Sequence, residues 1–356
     1  MNRYSTRKMF HRAGIHRSFS ALVLTGALAL TATACGGSGS GGAGGGGGTA
    51  SGSAGGAANV KIGLITKTDT NPYFVKLREA AKAEAAKKGA DLIALAGKFD
   101  GDNEGQVSAL ENLVSQGVKG ILITPNSSTG ILSAIKQARD AGVVVIALDT
   151  ATDPADAVDA TYATDNKQAG VFEGKWVKGT LAGTKPKLLM LDGTPGGTVD
   201  DFRHDGFLEG MGLKKGDPEI AGMENTNGDQ TKAQTAMENL LQRVPDANAV
   251  YTINEPAAAG GYAAISAAGK TKQITMASID GSCTGVQNVK AGKIGATVMQ
   301  FPSKMAQQGV DAVVKFAQDG TKPSGFNDTG AQLITDKPVS GLDSKDTTWG
   351  LQNCWG

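Results

Sequence analysis

The chain has 356 residues, a length that suggests about two ordinary domains. Hydrophobic residues make up 40% of it, which argues against a disordered chain. Its 35 Lys and Arg balance 34 Asp and Glu, and a net charge of +1 excludes the global basic field expected of a nucleic-acid-binding protein. The average conceals two unlike parts: residues 1–58 carry five basic residues and no acidic one, which leaves 30 basic against 34 acidic residues, a net charge of −4, for the remainder.

Residues 1–34 are predicted to be a lipoprotein signal peptide. Basic residues precede an apolar run at 21–34, which is too short and too poor in bulky side chains to span a membrane comfortably. Residues 32–36 (ATACG) resemble a bacterial lipobox, whose Cys, here Cys35, is diacylated and becomes the new N-terminus. A plain secretory signal with an incidental Cys35 is the alternative.

Residues 35–58 are predicted to form a flexible tether. After Cys35, the chain to residue 58 contains only Gly, Ser, Ala and Thr, and 13 of these residues are Gly. Such a segment cannot bury apolar surface, and as a coil it would have a root-mean-square reach of about 25 Å. A lipid anchor followed by a coil predicts a domain that works just outside a membrane.

From Asn59 onward, short β-branched segments alternate with stretches rich in Ala, Lys and Glu. The strands predicted first lie at 60–66, 92–96, 120–124 and 143–148, and the helices at 72–88, 103–116 and 129–141. Their spacing of about 23–31 residues suits βαβ units and a parallel sheet. A glycine follows each helix, at Gly89, Gly117 and Gly142, where a left-handed C-terminal cap needs one.

The same alternation then restarts. Strands are predicted at 187–191, 249–253, 275–279 and 295–300, and helices at 169–181, 199–211, 231–243, 256–268 and 303–318. Two such halves predict an α/β fold with two doubly wound lobes and a cleft between them.

Short planar polar side chains follow several of these strands. They are Asn71, Asp149, Asp201, Asn254, Asp280 and Gln300. Ligands of such sheets bind beyond the carboxyl ends of the strands. Carboxylates and amides there can form paired hydrogen bonds with vicinal hydroxyls, and Tyr73 or Phe74 offers a flat apolar face, so the set suits a sugar ring. The alternative for each polar residue is a cap on the next helix.

Five segments together resemble ribose-type periplasmic sugar-binding proteins, the substrate-binding components of ABC importers. They are TKTDTNPYF at 66–74, VIALD at 145–149, ATDN at 163–166, IDG at 279–281 and ATVMQFP at 296–302. The resemblance implies the type I periplasmic-binding fold, in which two Rossmann-like lobes with parallel sheets are joined by a hinge of three crossover strands. It implies an amino-terminal lobe of residues 59–162 and 301–330 and a carboxy-terminal lobe of residues 163–300 and 331–356.

The resemblance also implies a ligand set. Its contacts fall on Asn71, Phe74, Asp149, Asp201, Asn254, Asp280 and Gln300, and Lys67 matches a position that contacts hexose in some members. Ribose-binding members carry Arg at the positions of Thr150 and Asp201, and an aromatic residue near Gly228. The absence of these three side chains here disfavours ribose. Residues 148–150 (LDT) and 193–200 (GTPGGTVD) resemble the fructose-binding branch, so the predicted ligand is a hexose, with fructose first.

Two further features remain. Residues 100–111 nearly match a calcium loop, but Glu104 replaces the usual Asp or Asn and the loop follows a strand, so a helix cap by Asp102 is the competing interpretation. Cys283 and Cys354 would both be extracytoplasmic, where disulfides persist. They are predicted to clip the C-terminal extension onto the loop after Asp280, and two free thiols are the alternative.

The predicted function is a lipid-anchored, monomeric sugar receptor on the outer face of a bacterial membrane. It would deliver a monosaccharide to the permease of an ABC importer, and so to its ATPase, without a cofactor, a metal or nucleic acid. A sensory receptor that signals to a membrane kinase is the alternative. A sugar-acting enzyme is disfavoured for two reasons. The chain after the signal segment contains one histidine, His204, which leaves little scope for the acid–base chemistry of a catalytic triad. The carboxylates predicted in the cleft also alternate with amides instead of forming an isolated acid pair.

Overall fold

The computed structural model describes residues 60–356, so the predicted signal peptide, Cys35 and the tether lie outside the described residues. The strands are β1 (Lys61–Thr66), β2 (Asp91–Ala96), β3 (Gly120–Ile123), β4 (Val144–Leu148), β5 (Ala160–Ala163), β6 (Leu188–Asp192), β7 (Ile220–Asn225), β8 (Ala249–Thr252), β9 (Thr275–Asp280), β10 (Ala296–Met299), β11 (Gly325–Asp328) and β12 (Gln332–Ile334). The helices are α1 (Pro72–Lys87), α2 (Asn103–Ser115), α3 (Leu132–Asp140), α4 (Asn166–Thr180), α5 (Thr198–Met211), α6 (Gln230–Arg243), α7 (Glu255–Ala267), α8 (Cys283–Lys290), α9 (Pro302–Asp319) and α10 (Thr347–Asn353).

Two six-stranded sheets organise the described residues. Their strand orders are β11-β5-β4-β3-β1-β2 and β12-β10-β9-β8-β6-β7, and the strands pair in parallel except where β12 runs antiparallel to β10. Helices α1, α2, α3 and α9 pack with the first sheet and define the amino-terminal lobe. Helices α4, α6, α7 and α8 pack with the second sheet and define the carboxy-terminal lobe. The predicted two-lobed α/β architecture is confirmed.

The chain passes between the two lobes three times. It leaves the first sheet after β5 and enters α4, returns between β10 and α9, and passes again between β11 and β12. The lobe boundaries at 162/163, 300/301 and 330/331 stay a prediction. Three neighbouring crossovers bring the carboxyl ends of both sheets towards one cleft.

Glycine ends the early helices in the predicted way, with φ values of 68° at Gly89, 71° at Gly117 and 82° at Gly142. Glycine also sets the closest helix pair, α4 against α5. A Cβ at Gly170 would overlap the carbonyl oxygen of Arg203, and a Cβ at Gly206 would overlap that of Lys167. This close approach holds the middle of α5 against α4.

Six short elements escape prediction from the sequence: β5, β7, β11, β12, α8 and α10. The edge strands β7 and β11 are partly exposed, so they lack the continuous apolar run by which the central strands were found. Within residues 60–356, none of the helices combines the length and apolarity that a membrane span requires.

The structure joins Cys283 and Cys354 in a disulfide that spans 71 residues of sequence. In the chain-entropy description, such a bond stabilises the folded state by roughly 4 kcal/mol, because it restricts the unfolded chain. We therefore expect reductant to lower the free energy of unfolding by about that amount in urea titrations. A double variant, Cys283→Ser with Cys354→Ser, should match the reduced protein and ignore reductant. Equal unfolding midpoints for the oxidised and reduced chains would contradict this expectation.

Candidate functional site

A polar cavity lies between the lobes, at the carboxyl ends of both sheets. The amino-terminal lobe lines it with Lys67, Asn71, Tyr73, Phe74, Asp100 and Asp149. The carboxy-terminal side lines it with Asp200, Arg203, Asn227, Asn254, Asp280 and Gln300. Eight of the nine side chains predicted as ligand-binding therefore meet in one place. The cavity volume of about 50 Å³ exceeds the roughly 10–15 Å³ that one water needs, so the site has room for a small polar molecule.

Contacts between the lobes surround this cavity. Thr194 Oγ1 donates to Asp100 Oδ1 at 2.5 Å, and Asn227 Nδ2 donates to the carbonyl oxygen of Asp100 at 2.9 Å. Asp102, a second acid of the calcium-like loop, instead accepts from the backbone N–H of Gly105 at 3.0 Å and caps α2. Among the described residues, no group of three or more His, Cys, Asp and Glu side chains could hold a metal ion. The hydrogen bond from Gly105 fits the capping interpretation of Asp102.

Asn71 and Asn254 both cap helices and line the cavity. Asn71 Oδ1 accepts from the N–H of Tyr73 at 2.9 Å at the start of α1, and Asn254 Oδ1 accepts from the N–H of Ala257 at 3.0 Å at the start of α7. The capping role and the cavity position are thus compatible. Because each cap engages the side-chain oxygen, Asn71 has its amide NH₂ left for a ligand, whereas Asn254 Nδ2 also donates to the carbonyl oxygen of Gly228 at 3.3 Å.

Asp149 occupies a strained position at the end of β4. Its φ of 64° lies in the left-handed region, which costs a non-glycine residue about 1 kcal/mol or more. Thr150 Oγ1 donates to its Oδ2 at 3.0 Å, and Asn166 Nδ2 donates to its backbone carbonyl at 3.3 Å. These contacts aim a 4% exposed carboxylate into the cavity.

Asp280 and Gln300 form a pair on the opposite wall. Gln300 Nε2 donates to Asp280 Oδ1 at 3.0 Å, while Gln300 Oε1 has no hydrogen-bond partner among the described residues although it is buried. The backbone N–H of Glu255 donates to Asp280 Oδ2 at 3.3 Å. A buried acceptor without a donor is costly, so this wall suits a ligand that carries hydroxyl groups.

The environment of Asp280 shifts its titration. Burial raises the pKa of Asp280 well above its usual value, the nearby Glu255 carboxylate adds to that shift, and the Arg203 guanidinium opposes it. Burial likewise raises the pKa of Glu255, which Ser282 and Thr297 counteract by hydrogen bonds. Keeping Asp280 charged therefore costs the folded chain free energy. A ligand that donates hydrogen bonds to this carboxylate would reduce that cost.

Asp201 is the one predicted ligand residue that the structure places elsewhere. It lies on the exposed face of α5 and does not line the cavity. Arg203, two residues later, is 3% exposed and reaches the cavity instead. Successive helical residues are about 100° apart, so a shift of two positions moves a side chain to nearly the opposite face.

Arg203 was missed although a signal for it exists. Val199, Arg203, Phe207 and Met211 recur every four residues and are all buried, so they form one face of α5. The guanidinium donates through Nε to Asn166 Oδ1 at 2.7 Å and through one terminal nitrogen to the carbonyl oxygen of Ile253 at 2.8 Å. That same nitrogen is 4.0 Å from Asp280 Oδ1. The expected absence of a guanidinium at this wall is thus wrong.

A second unpredicted group, Asp200, sits beside Arg203. Its Oδ1 accepts from the N–H of Gly193 at 2.6 Å, and burial, with repulsion from Asp192, raises its pKa from 3.8 to about 6. Asp192 in turn pairs with His204, whose Nδ1 lies 2.9 Å from Asp192 Oδ1, and this hydrogen bond raises the pKa of His204. His204 is therefore a partly buried partner of a carboxylate, not a surface residue.

The raised pKa of Asp200 predicts a stability change with a definite sign. Between pH 3.8 and about 6 the folded chain holds the proton that the unfolded chain has lost, so Asp200 lowers stability as pH rises through this window. We expect Asp200→Asn, which keeps the acceptor for Gly193, to raise the free energy of unfolding at pH 7 by up to about 3 kcal/mol. Urea unfolding of the wild type and of Asp200→Asn at pH 4 and pH 7 measures this gain in the free energy of unfolding. A gain of equal size at both pH values, or a loss at pH 7, would contradict the assignment.

Comparisons with known proteins agree with this geometry. Residues 62–322 match the family described as the periplasmic binding protein domain. The ribose import binding protein of Bacillus subtilis (strain 168) is 32% identical over 265 residues, which cover 74% of this chain and 84% of that protein. The galactofuranose-binding protein of Escherichia coli (strain K12) is 30% identical over 299 residues, which cover 81% of this chain and 92% of that protein.

Solved structures show the same similarity. The crystal structure of a galactofuranose-binding protein is 26% identical with a TM-score of 0.73, covering 82% of this chain and 97% of that one. An ABC transporter solute-binding protein from Mycobacterium smegmatis with bound glycerol is 28% identical with a TM-score of 0.71, covering 82% of this chain and 99% of that one. These relatives are named as binding proteins, which supports the expectation that the chain is not an enzyme. The chain belongs to the periplasmic binding protein domain family.

Proposed function

We propose that this protein captures a monosaccharide in the cavity between its lobes and delivers it, as a monomer, to the permease of an ABC importer. The observation that carries the proposal is the cavity itself. Carboxylates and amides from both lobes converge there beside Tyr73 and Phe74, and the buried Gln300 Oε1 lacks a donor among the described residues. Planar acceptors around an aromatic face match the polar rim and apolar faces of a sugar ring.

The named ligands of the relatives support a small sugar. They include ribose, allose and galactofuranose among the similar proteins. Fructose is our prediction from the segments at 148–150 and 193–200. Arg203 makes ribose a candidate again, because it brings to the cavity, from the face of α5 opposite Asp201, a guanidinium that the sequence analysis did not expect.

A thermal-shift screen of residues 59–356 tests the proposal. The panel contains D-fructose, D-ribose, D-allose, galactofuranose, myo-inositol and glycerol. A ligand that binds only the folded state raises the midpoint, by the equivalent of about 2.7 kcal/mol at a hundredfold excess over Kd. We expect at least one monosaccharide to do so and maltose, as a disaccharide control, to have no effect. A panel without any shift would remove the main support for sugar capture.

We also propose that Cys35 carries a lipid that holds the protein on the outer face of the cell membrane. The ATACG segment and the Gly-rich stretch that follows it support this placement. In a bacterial host that processes lipoproteins, wild-type protein should sediment with membranes and require detergent for release. Cys35→Ser should appear in the soluble extracytoplasmic fraction. Equal partitioning of both proteins would argue for a plain secretory signal.

A further inference from the structure

The last residues of the chain are fixed beside the cavity. Cys354 is bonded to Cys283, the first residue of α8. The N–H of Cys283 donates to the carbonyl oxygen of Trp355 at 2.9 Å, and Ser282 pairs with Trp355 in a parallel bridge. The tail is thereby attached, covalently and by hydrogen bonds, to the loop of the carboxy-terminal lobe that follows Asp280.

The indole of Trp355 reaches from this attachment to the other lobe. It is 7% exposed and belongs to the hydrophobic cluster built by α1, α9 and the first sheet. Its ring stands edge-on to Tyr73 of α1, with centroids 5.4 Å apart and an interplanar angle of 79°. Its Nε1 donates to the carbonyl oxygen of Asp280 at 3.1 Å. One side chain thus contacts Asp280 in one lobe and Tyr73 in the other.

Tyr73 continues this contact to the aromatic wall of the cavity. Its ring stands edge-on to Phe74, with centroids 5.5 Å apart, and its hydroxyl lies 3.2 Å from the sulfur of Met305 on α9. Tyr73, Phe74 and Asp280 line the cavity, whereas Trp355 does not and instead lines an adjoining cavity that shares Tyr73 and Asp280. Trp355 therefore supports an aromatic face and a carboxylate that would hold opposite sides of a sugar.

We propose that Trp355 is a positioning residue for sugar binding, and that the Cys283–Cys354 bond makes sugar affinity depend on the attachment of the tail. The proposal rests on the proposed sugar-capturing function. Loss of the indole would free Tyr73 to rotate and remove the donor on the Asp280 carbonyl, so the two lobes would be held less firmly around the ligand. The main effect should fall on the dissociation rate, as most interface changes do.

Trp355→Ala in the full chain tests the proposal, with D-ribose and D-fructose as the sugars whose binding is measured. An edge-on aromatic pair and one hydrogen bond together predict affinity weaker by about tenfold, mainly through faster dissociation. Trp355→Phe keeps the ring contact, so it should lose less than half as much binding free energy as Trp355→Ala. Cys283→Ser with Cys354→Ser should weaken binding in the same direction. Trp349→Ala is the matched control, because Trp349 lies in the same tail but packs against Val286, Met299 and Ile334.

A measurement without sugar separates this proposal from the proposed function. In the ligand-free protein, Trp355→Ala should accelerate amide hydrogen exchange in both segments, residues 72–76 and residues 280–284. Trp349→Ala should leave exchange at residues 72–76 unchanged. If the wild type binds neither sugar, the proposed capture of ribose or fructose is wrong. The exchange data then still decide whether Trp355 couples residues 72–76 to residues 280–284. Unchanged exchange at 72–76, or affinity within twofold of wild type in a folded Trp355→Ala protein, would overturn the proposal.

Discussion

Asp280→Asn should weaken monosaccharide binding by about a hundredfold or more while the protein stays folded. The carboxylate is held by Gln300 Nε2 and the N–H of Glu255, so its orientation is fixed before a ligand arrives. An amide keeps the shape but replaces one acceptor oxygen with a donor, which leaves a ligand hydroxyl unmatched. Because burial already raises the pKa of Asp280, a neutral side chain should not reduce the thermal midpoint of the ligand-free protein.

Asp201→Asn is the matched control for this experiment. It makes the same chemical change on the exposed face of α5, outside the cavity. Titration calorimetry should find its affinity within about twofold of wild type, as expected for surface substitutions. If Asp280→Asn bound as well as Asp201→Asn, the assignment of Asp280 to the ligand would be wrong.

Arg203→Met should lose both binding and stability. The guanidinium donates to Asn166 Oδ1 and to the carbonyl oxygen of Ile253, so its removal leaves two buried acceptors short of a donor and takes a positive charge from beside Asp280. Removing one partner of a buried charged pair costs about 3–5 kcal/mol. We expect a loss of that size in the free energy of urea unfolding.

Arg203→Lys separates the two effects. It keeps the positive charge but cannot span two acceptors with a planar fork, so it should fold better than Arg203→Met and still bind sugar about tenfold or more weakly. Arg243→Met is the control, because Arg243 is 58% exposed and pairs with Glu224 on the surface. A stability loss at Arg243 equal to that at Arg203 would contradict the importance assigned to burial.

The central strands and long helices were predictable because their apolar periodicity is strong. β1, β3 and β4 are almost continuous apolar runs, as fully buried parallel strands must be, and glycines mark the ends of α1, α2 and α3. The edge strands β7 and β11 were not predictable in this way, since all their residues are half-buried or exposed and neither carries a buried run.

The site was predictable where a strand points directly at it. Asp149 and Asp280 stand at the ends of β4 and β9, so a strand assignment places them in the cleft. Asp100 and Asn227 follow the edge strands β2 and β7, and Asp200 and Arg203 project from a helix, where a slip of two residues reverses the face. That is why Asp201 was predicted in place of its neighbours.

Titration calorimetry of residues 59–356 with the monosaccharide that gives the largest thermal shift tests sugar capture in the cavity most directly. The wild type should bind one sugar per chain, and Asp280→Asn should give no measurable heat at the same concentrations. Absence of binding by every monosaccharide in the panel, or one-to-one binding that Asp280→Asn leaves unchanged, would contradict it.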